Sequence, residues 1–85
     1  MEIKVFFHPH ALLRMGERGT LEEEVAQTIR EGEQFPVKFD RTGFRHNFSF
    51  EKLWQGKRYA NKQVEAFAVK ENCGWLVITV IVRYF

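Results

Sequence analysis

Residues 9–32 read PHALLRMGERGTLEEEVAQTIREG, and this stretch decides the fold class because it holds two helices and their punctuation. Pro9 suits the first position of a helix, where its missing N–H would have had no partner. The spacing then predicts a helix from Pro9 to Arg18, closed at Gly19 by a left-handed residue. Thr20 followed three residues later by Glu23 reads as a capping box opening a second helix. Three glutamates in its first turn suit the positive end of the helix dipole. At about 100° per residue, Leu21, Val25, Thr28 and Ile29 share one apolar stripe, and Gly32 is the expected stop.

Outward from this pair the periodicity changes to that of strands. Ile3 to Phe7 reads as a short first strand ended by His8-Pro9. Phe44, His46, Phe48 and Phe50 alternate with Arg45, Asn47 and Ser49, which sorts them onto two faces of one strand. A connection is expected around Leu53 to Gly56, with Trp54 tucked in. Lys57 to Lys70 then forms one long strand, or two with a break near Asn61. Asn72-Cys73-Gly74 makes a tight turn into Trp75–Phe85, whose β-branched and aromatic content marks a central strand buried on both faces. Its even positions are almost wholly apolar. The sum is an α+β domain over residues 1–85: two N-terminal helices packed on a curled antiparallel sheet of about four strands.

Composition narrows the class further. With 85 residues, 45% hydrophobic and 15% aromatic, the chain has material for one core and no more. Cys73 stands alone, so no disulfide can form within the chain and a reducing, cytoplasmic setting is expected. The longest apolar run, Trp75 to Val82, is far short of the ~18 residues of a membrane span. Met1-Glu2-Ile3-Lys4 leads straight into strand-like residues, without the pattern of a signal peptide. Charge is segregated: residues 17–33 hold six glutamates against two arginines, net −4, and residues 38–62 hold seven cations against two acids, net +5. One face is thereby suited to polyanions.

The first helix carries the densest chemistry. His10, Arg14 and Arg18 climb one ridge at i, i+4 and i+8, with Glu17 beside them, while Ala11, Leu12 and Met15 face the sheet. An imidazole that titrates near neutrality beside two guanidiniums has the ingredients for phosphodiester cleavage. Equally, Glu17 could pair with Arg14 and leave a solvated ridge. The second group is Gln55-Gly56-Lys57-Arg58-Tyr59-Ala60-Asn61-Lys62, where cations interleave with an aromatic as phosphate contact and base stacking require. An exposed strand edge guarded by lysines would read the same way. Thr79, Arg83 and the Tyr84 hydroxyl stand out in an otherwise apolar last strand. His46 reads as a core or rim histidine. A zinc site from His8, His10, His46 and Cys73 matches no structural zinc spacing, and no metal or other cofactor is expected.

The segment His10-Ala11-Leu12-Leu13-Arg14-Met15-Gly16-Glu17-Arg18-Gly19-Thr20, followed by Glu22-Glu23-Glu24-Val25, resembles the N-terminal signature of a family of small bacterial proteins known only as a domain of unknown function of the DUF4258 type. Gly56-Lys57-Arg58-Tyr59, Lys62-Gln63-Val64-Glu65 and the closing Ile78-Thr79-Val80-Ile81-Val82 with Tyr84 extend the likeness over most of the chain. That family in turn resembles a distant member of the RelE-type toxin superfamily, whose better-known members cut RNA and are silenced by an antitoxin. The fold this implies is two helices on a curled antiparallel sheet of the RelE or barnase type. The activity it implies is that of a metal-independent endoribonuclease in a toxin–antitoxin system, acting on RNA, ribosome-associated or free, with a cognate antitoxin as partner. His10 would move the proton, Arg14 and Arg18 would hold the phosphorane, and Thr79 or Tyr84 would orient the substrate. Arg45, Lys57, Arg58, Tyr59, Lys62 and Arg83 would bind the strand. The alternative is a non-catalytic module that binds nucleic acid or protein with the same fold, including a homodimer through exposed aromatics.

Overall fold

The helix signals act where the sequence places them. In a computed structural model describing residues 3–85, α1 spans Pro9–Arg18 and α2 spans Glu22–Glu31. Met1 and Glu2, the start of the stretch read as leading into the first strand, lie outside the described residues. The His8 imidazole Nδ1 accepts the His10 N–H at 3.0 Å and so caps α1. Gly19 ends it at φ +73°. A side chain there would run into the Trp54 ring, so both the backbone angle and the packing demand glycine. The capping of α2 is shifted by one residue from the expected box. Leu21 is the N-cap, and Glu24, rather than Glu23, reaches back to accept the Leu21 N–H at 2.9 Å and the Thr20 hydroxyl at 3.0 Å. The shift leaves Leu21 65% exposed, outside the buried stripe of Val25, Thr28 and Ile29.

Five strands form one sheet: β1 (Lys4–Phe7), β2 (Glu33–Val37), β3 (Arg41–Trp54), β4 (Lys57–Glu71) and β5 (Gly74–Tyr84), in the order β1-β5-β4-β3-β2. The fold class is the expected α+β, with one strand more than the four read from sequence. The additional strand is β2, whose Pro36 is tolerated because β2 is an edge. The sheet is mostly antiparallel; β1 alone runs parallel, beside the start of β5. The supposed connection at 53–56 shrinks to the two residues Gln55 and Gly56, both at positive φ, which join β3 to β4 in a tight hairpin.

Two bulges set the faces. In β3, Phe50 and Glu51 together oppose Ala60, and Glu51 takes φ +48°. In β5, Phe67 pairs with Thr79 and Ala68 with Val77, so Ile78 is an extra residue and the alternation reverses there. Trp75 and Val77 before the bulge, and Val80, Val82 and Tyr84 after it, face the helices. Leu76, Thr79, Ile81 and Arg83 face the other way. An uninterrupted even/odd division of β5 is therefore corrected by the bulge. β5 is also less enclosed than expected: β1 flanks only Gly74–Val77, and among the described residues no strand lies on that side of the rest.

The core lies between helices and sheet, where Ala11, Met15, Val25, Ile29, Phe44, Val64, Ala66, Ala68, Val77 and Val80 are buried. Each fully buried valine there contributes about 1.5–3 kcal/mol relative to exposure. Among the described residues no helix is long and apolar enough to cross a membrane.

Candidate functional site

The register carries Lys62 to the helix side of β4, between Phe48 on β3 and Tyr84 on β5. It is 3% exposed, and its Nζ donates to the Gly19 carbonyl at 2.6 Å and to Glu24 Oε1 at 2.8 Å. The Phe50 and Tyr84 rings lie 5.7 and 5.9 Å from the same ammonium. The Tyr84 hydroxyl donates to the Arg18 carbonyl at 2.7 Å. Burial pushes the Glu24 carboxyl up, but hydrogen bonds from Lys62, the Leu21 N–H and Thr20 outweigh it and hold the group below the usual carboxylate range. Burial, and then the charge of Glu24, raise the Tyr84 hydroxyl. The sequence reading puts Lys62 on an exposed nucleic-acid surface; it instead clamps the α1–α2 turn to the sheet. Tyr84 is likewise engaged with the end of α1.

On the helix-free face a second network gathers Arg45 and Arg83. Arg45 donates to Glu65 Oε2 through Nε at 2.9 Å and Nη2 at 2.8 Å, and to Glu33 Oε1 through Nη1 at 3.0 Å. Arg83 binds the other oxygen of Glu65 and the Gln63 amide oxygen. Burial would raise the Glu65 carboxyl, and the hydrogen bonds from Arg83 and Arg45 more than reverse it. Glu65 in turn raises the Arg45 guanidinium. Two arginines and two glutamates leave this network neutral, so it offers a polyanion no excess charge. Thr79 lies on this face and Tyr84 on the other, and the two cannot converge on one substrate.

The α1 ridge divides in the same way. Arg18 Nη1 donates to the Val80 carbonyl at 2.6 Å, on the strand-free side of β5. Asn61 and Phe85 exchange backbone hydrogen bonds, so counting two residues at a time along this register turns the N–H and C=O of Val80 away from β4. The Arg18 guanidinium takes the place of a missing strand partner. Arg14 pairs with Glu17 at 2.9 Å, as the solvated reading has it, and its Nε lies 3.4 Å from His10 Nε2. His10 is exposed. The ridge forms, but it does not share a cleft with Arg45 or Arg83, which stand across the sheet.

At the far end of the β3–β4 hairpin the situation differs. Lys52, Lys57 and Arg58 are exposed, and none has a carboxylate partner among the described residues. Lys52 and Lys57 stand beside a pile of rings centred on Tyr84: Trp54 stacks on it at 5.0 Å and 19°, with Phe50 at 5.2 Å and Tyr59 at 5.6 Å. Lys57 Nζ sits 5.5 Å from the Tyr59 ring, and Lys52 Nζ 6.0 Å from that of Phe50. Leu53 and Phe85 are exposed beside them. Of the expected binding residues, Lys57 and Tyr59 are thus brought together, with Lys52, Phe50 and Trp54, while Arg58 is exposed on the same hairpin end opposite Leu53. Lys52 follows the Phe50–Glu51 bulge, which the sequence does not signal. Sequence reasoning also misses Glu24 and Glu65 as organisers; a lone acid in the otherwise apolar Val64–Val69 run is the one available sign of Glu65.

His46 packs edge-on against Phe48 at 4.7 Å, a rim position as expected. Among the described residues no three His, Cys, Asp or Glu side chains gather as a metal ion would require.

No curated protein and no solved structure matches the chain. A family model does, over residues 7–82, which takes in both helices, β2 to β4 whole and β5 as far as Val82. The match spans well over half of the sequence, and the chain belongs to the family described as a domain of unknown function, DUF4258.

Proposed function

We propose that this domain binds single-stranded nucleic acid, RNA in the first instance, with the end of its β3–β4 hairpin, and does not cut it. One observation carries the reading. Arg14, Arg18, Lys62, Arg45 and Arg83 are each bonded within the chain, whereas Lys52, Lys57 and Arg58 at the hairpin end have no carboxylate partner among the described residues, and Lys52 and Lys57 lie beside aromatic rings. Unpaired cations can release counterions from phosphates, and ring faces accept bases without regard to sequence.

Three phosphate contacts give a single-strand salt slope of about −2, so affinity falls by about 20-fold between 50 and 200 mM salt. Fluorescence anisotropy with a labelled single-stranded RNA measures this directly. Lys57→Ala with Arg58→Ala is expected to reduce the slope to about −0.7. Absence of binding at low salt, or a slope the double variant leaves unchanged, refutes the proposal.

A second reading is the metal-independent ribonuclease of the toxin type, with a cognate antitoxin as partner. The exposed His10 beside Arg14 favours it, as a proton carrier next to a cation. It requires that the same RNA be cleaved by the wild type and left intact by His10→Ala.

A further inference from the structure

We infer that the β2–β3 turn is a second contact point for the same ligand, a single-stranded RNA long enough to reach from one end of the sheet to the other. The inference rests on the reading of the β3–β4 hairpin end given above. Phe39 and Asp40, in the turn between β2 and β3, both take left-handed backbone, at φ +64° and +58°. Aspartate tolerates that region, whereas a bulky side chain is strained in it, and asparagine or glycine would occupy position 39 more easily. The ring gives the core nothing, since Phe39 is 84% exposed. A side chain that strains its turn and buries no surface is not one the fold requires, and its face is open to a base.

The groups around Phe39 suit a nucleotide. Lys38 and Arg41 flank the two left-handed residues, are exposed, and have no carboxylate partner among the described residues. Beside the turn a groove of about 480 Å³ is lined by Gln34, Phe35, Pro36, Asp40, Arg41 and Thr42. Phe35 and Pro36 give it an apolar wall, and Arg41 a cation for phosphate. Gln34, Asp40 and Thr42 supply hydrogen-bonding groups for the edge of an unpaired base. Cations without carboxylate partners beside an aromatic ring are the same combination that marks the β3–β4 hairpin end.

Position decides the length of the ligand. The turn precedes Arg41 and the hairpin follows Trp54, at the two ends of β3. The 14 residues of β3, at about 3.3 Å each, make about 45 Å, while the longest dimension of the molecule is 41 Å. The curled strand therefore runs the length of the domain and holds the two contact points apart. At a stacked rise of about 3.4 Å per nucleotide, about 12 nucleotides bridge them. Once one end is bound, the other meets its part of the same RNA at high effective concentration.

Fluorescence anisotropy of the whole chain with two labelled RNAs, of about 4 and about 20 nucleotides, tests this, because only the longer can bridge. The salt slope of about −2 belongs to the short RNA, and two further cations take it to about −3.5 for the long one. Phe39→Asn removes the ring and keeps the turn, so its urea midpoint should be no lower than that of the wild type. It is expected to weaken the long complex by about tenfold, the loss of one base–ring stack, and to leave the short one within about twofold. A long RNA bound equally well by Phe39→Asn, an equal loss on both RNAs, or a lowered urea midpoint overturns the inference and leaves the hairpin-end reading standing. A wild type that binds neither RNA removes both.

Discussion

Replacing Lys62 by Met keeps a long unbranched stem between the Phe50 and Tyr84 rings and removes only the ammonium. Two charge-assisted hydrogen bonds are lost, to Gly19 and Glu24. Removing one partner of a buried ion pair costs ~3–5 kcal/mol when the other is left unpaired. Here Glu24 keeps the Leu21 N–H and the Thr20 hydroxyl, and its side chain is 22% exposed, so the cost belongs at the low end, about 3 kcal/mol. For a domain of this size that lowers Tm by on the order of 15 °C. Urea unfolding followed by circular dichroism reads the difference at neutral pH. A pH series adds an independent check. The folded Glu24 carboxyl lies below its unfolded value, so the stabilisation it brings is present above the unfolded pKa of 4.5 and is lost as pH falls through the folded value. The variant should therefore lose less stability than the wild type on acidification. If Lys62→Met is within about 0.5 kcal/mol of wild type, the ammonium is not a structural clamp, and its burial needs another explanation.

Arg18→Met removes the donor to the Val80 carbonyl and should cost about 1–2 kcal/mol in urea melts while leaving RNA affinity unchanged, which separates a structural from a ligand-binding arginine. Glu65→Gln deprives Arg45 and Arg83 of their shared anion; a loss of about 2–4 kcal/mol is expected, together with a shallower acid transition, because the wild-type carboxyl is held below its ordinary value. Gly74→Ala would drive a methyl group into the Lys4 carbonyl, so β1 must move off β5; at least about 2 kcal/mol should be lost, with faster amide exchange confined at first to residues 4–7.

The parts of the fold legible in the sequence are those fixed by local chemistry. Pro9 and Gly19 bound α1 because each acts through its own backbone, whatever surrounds it. β3 and β4 declare themselves by alternation. β2 does not, since a five-residue strand containing proline looks like a loop until it is known to be an edge. The α2 cap slips by one residue because three consecutive glutamates offer the same local signal, and only Lys62, 38 residues away, selects Glu24. The site is legible in part for the same reason. Lys57, Arg58 and Lys62 look alike in sequence, yet partners 38 and 43 residues distant draw Lys62 into the core and leave the other two in water. No local pattern carries that information.

The β5 bulge is the feature that sorts the candidate residues. Without Ile78 as an extra residue, the parity of Trp75 and Val77 would continue, sending Thr79, Ile81 and Arg83 toward the helices and Tyr84 away from them. Arg83 would then meet the buried Lys62, like against like, and Glu65 would lose one of its two guanidiniums. With the bulge, Tyr84 reaches the Arg18 carbonyl and roofs Lys62, and Arg83 reaches Glu65. The reversal is silent in the sequence because residues 75–82 are apolar or β-branched at nearly every position, so either parity buries equally well. What distinguishes them is the placing of two charges and one hydroxyl. That distinction separates a sheet with a clamped helix face and a neutral outer face from one carrying a buried clash between cations.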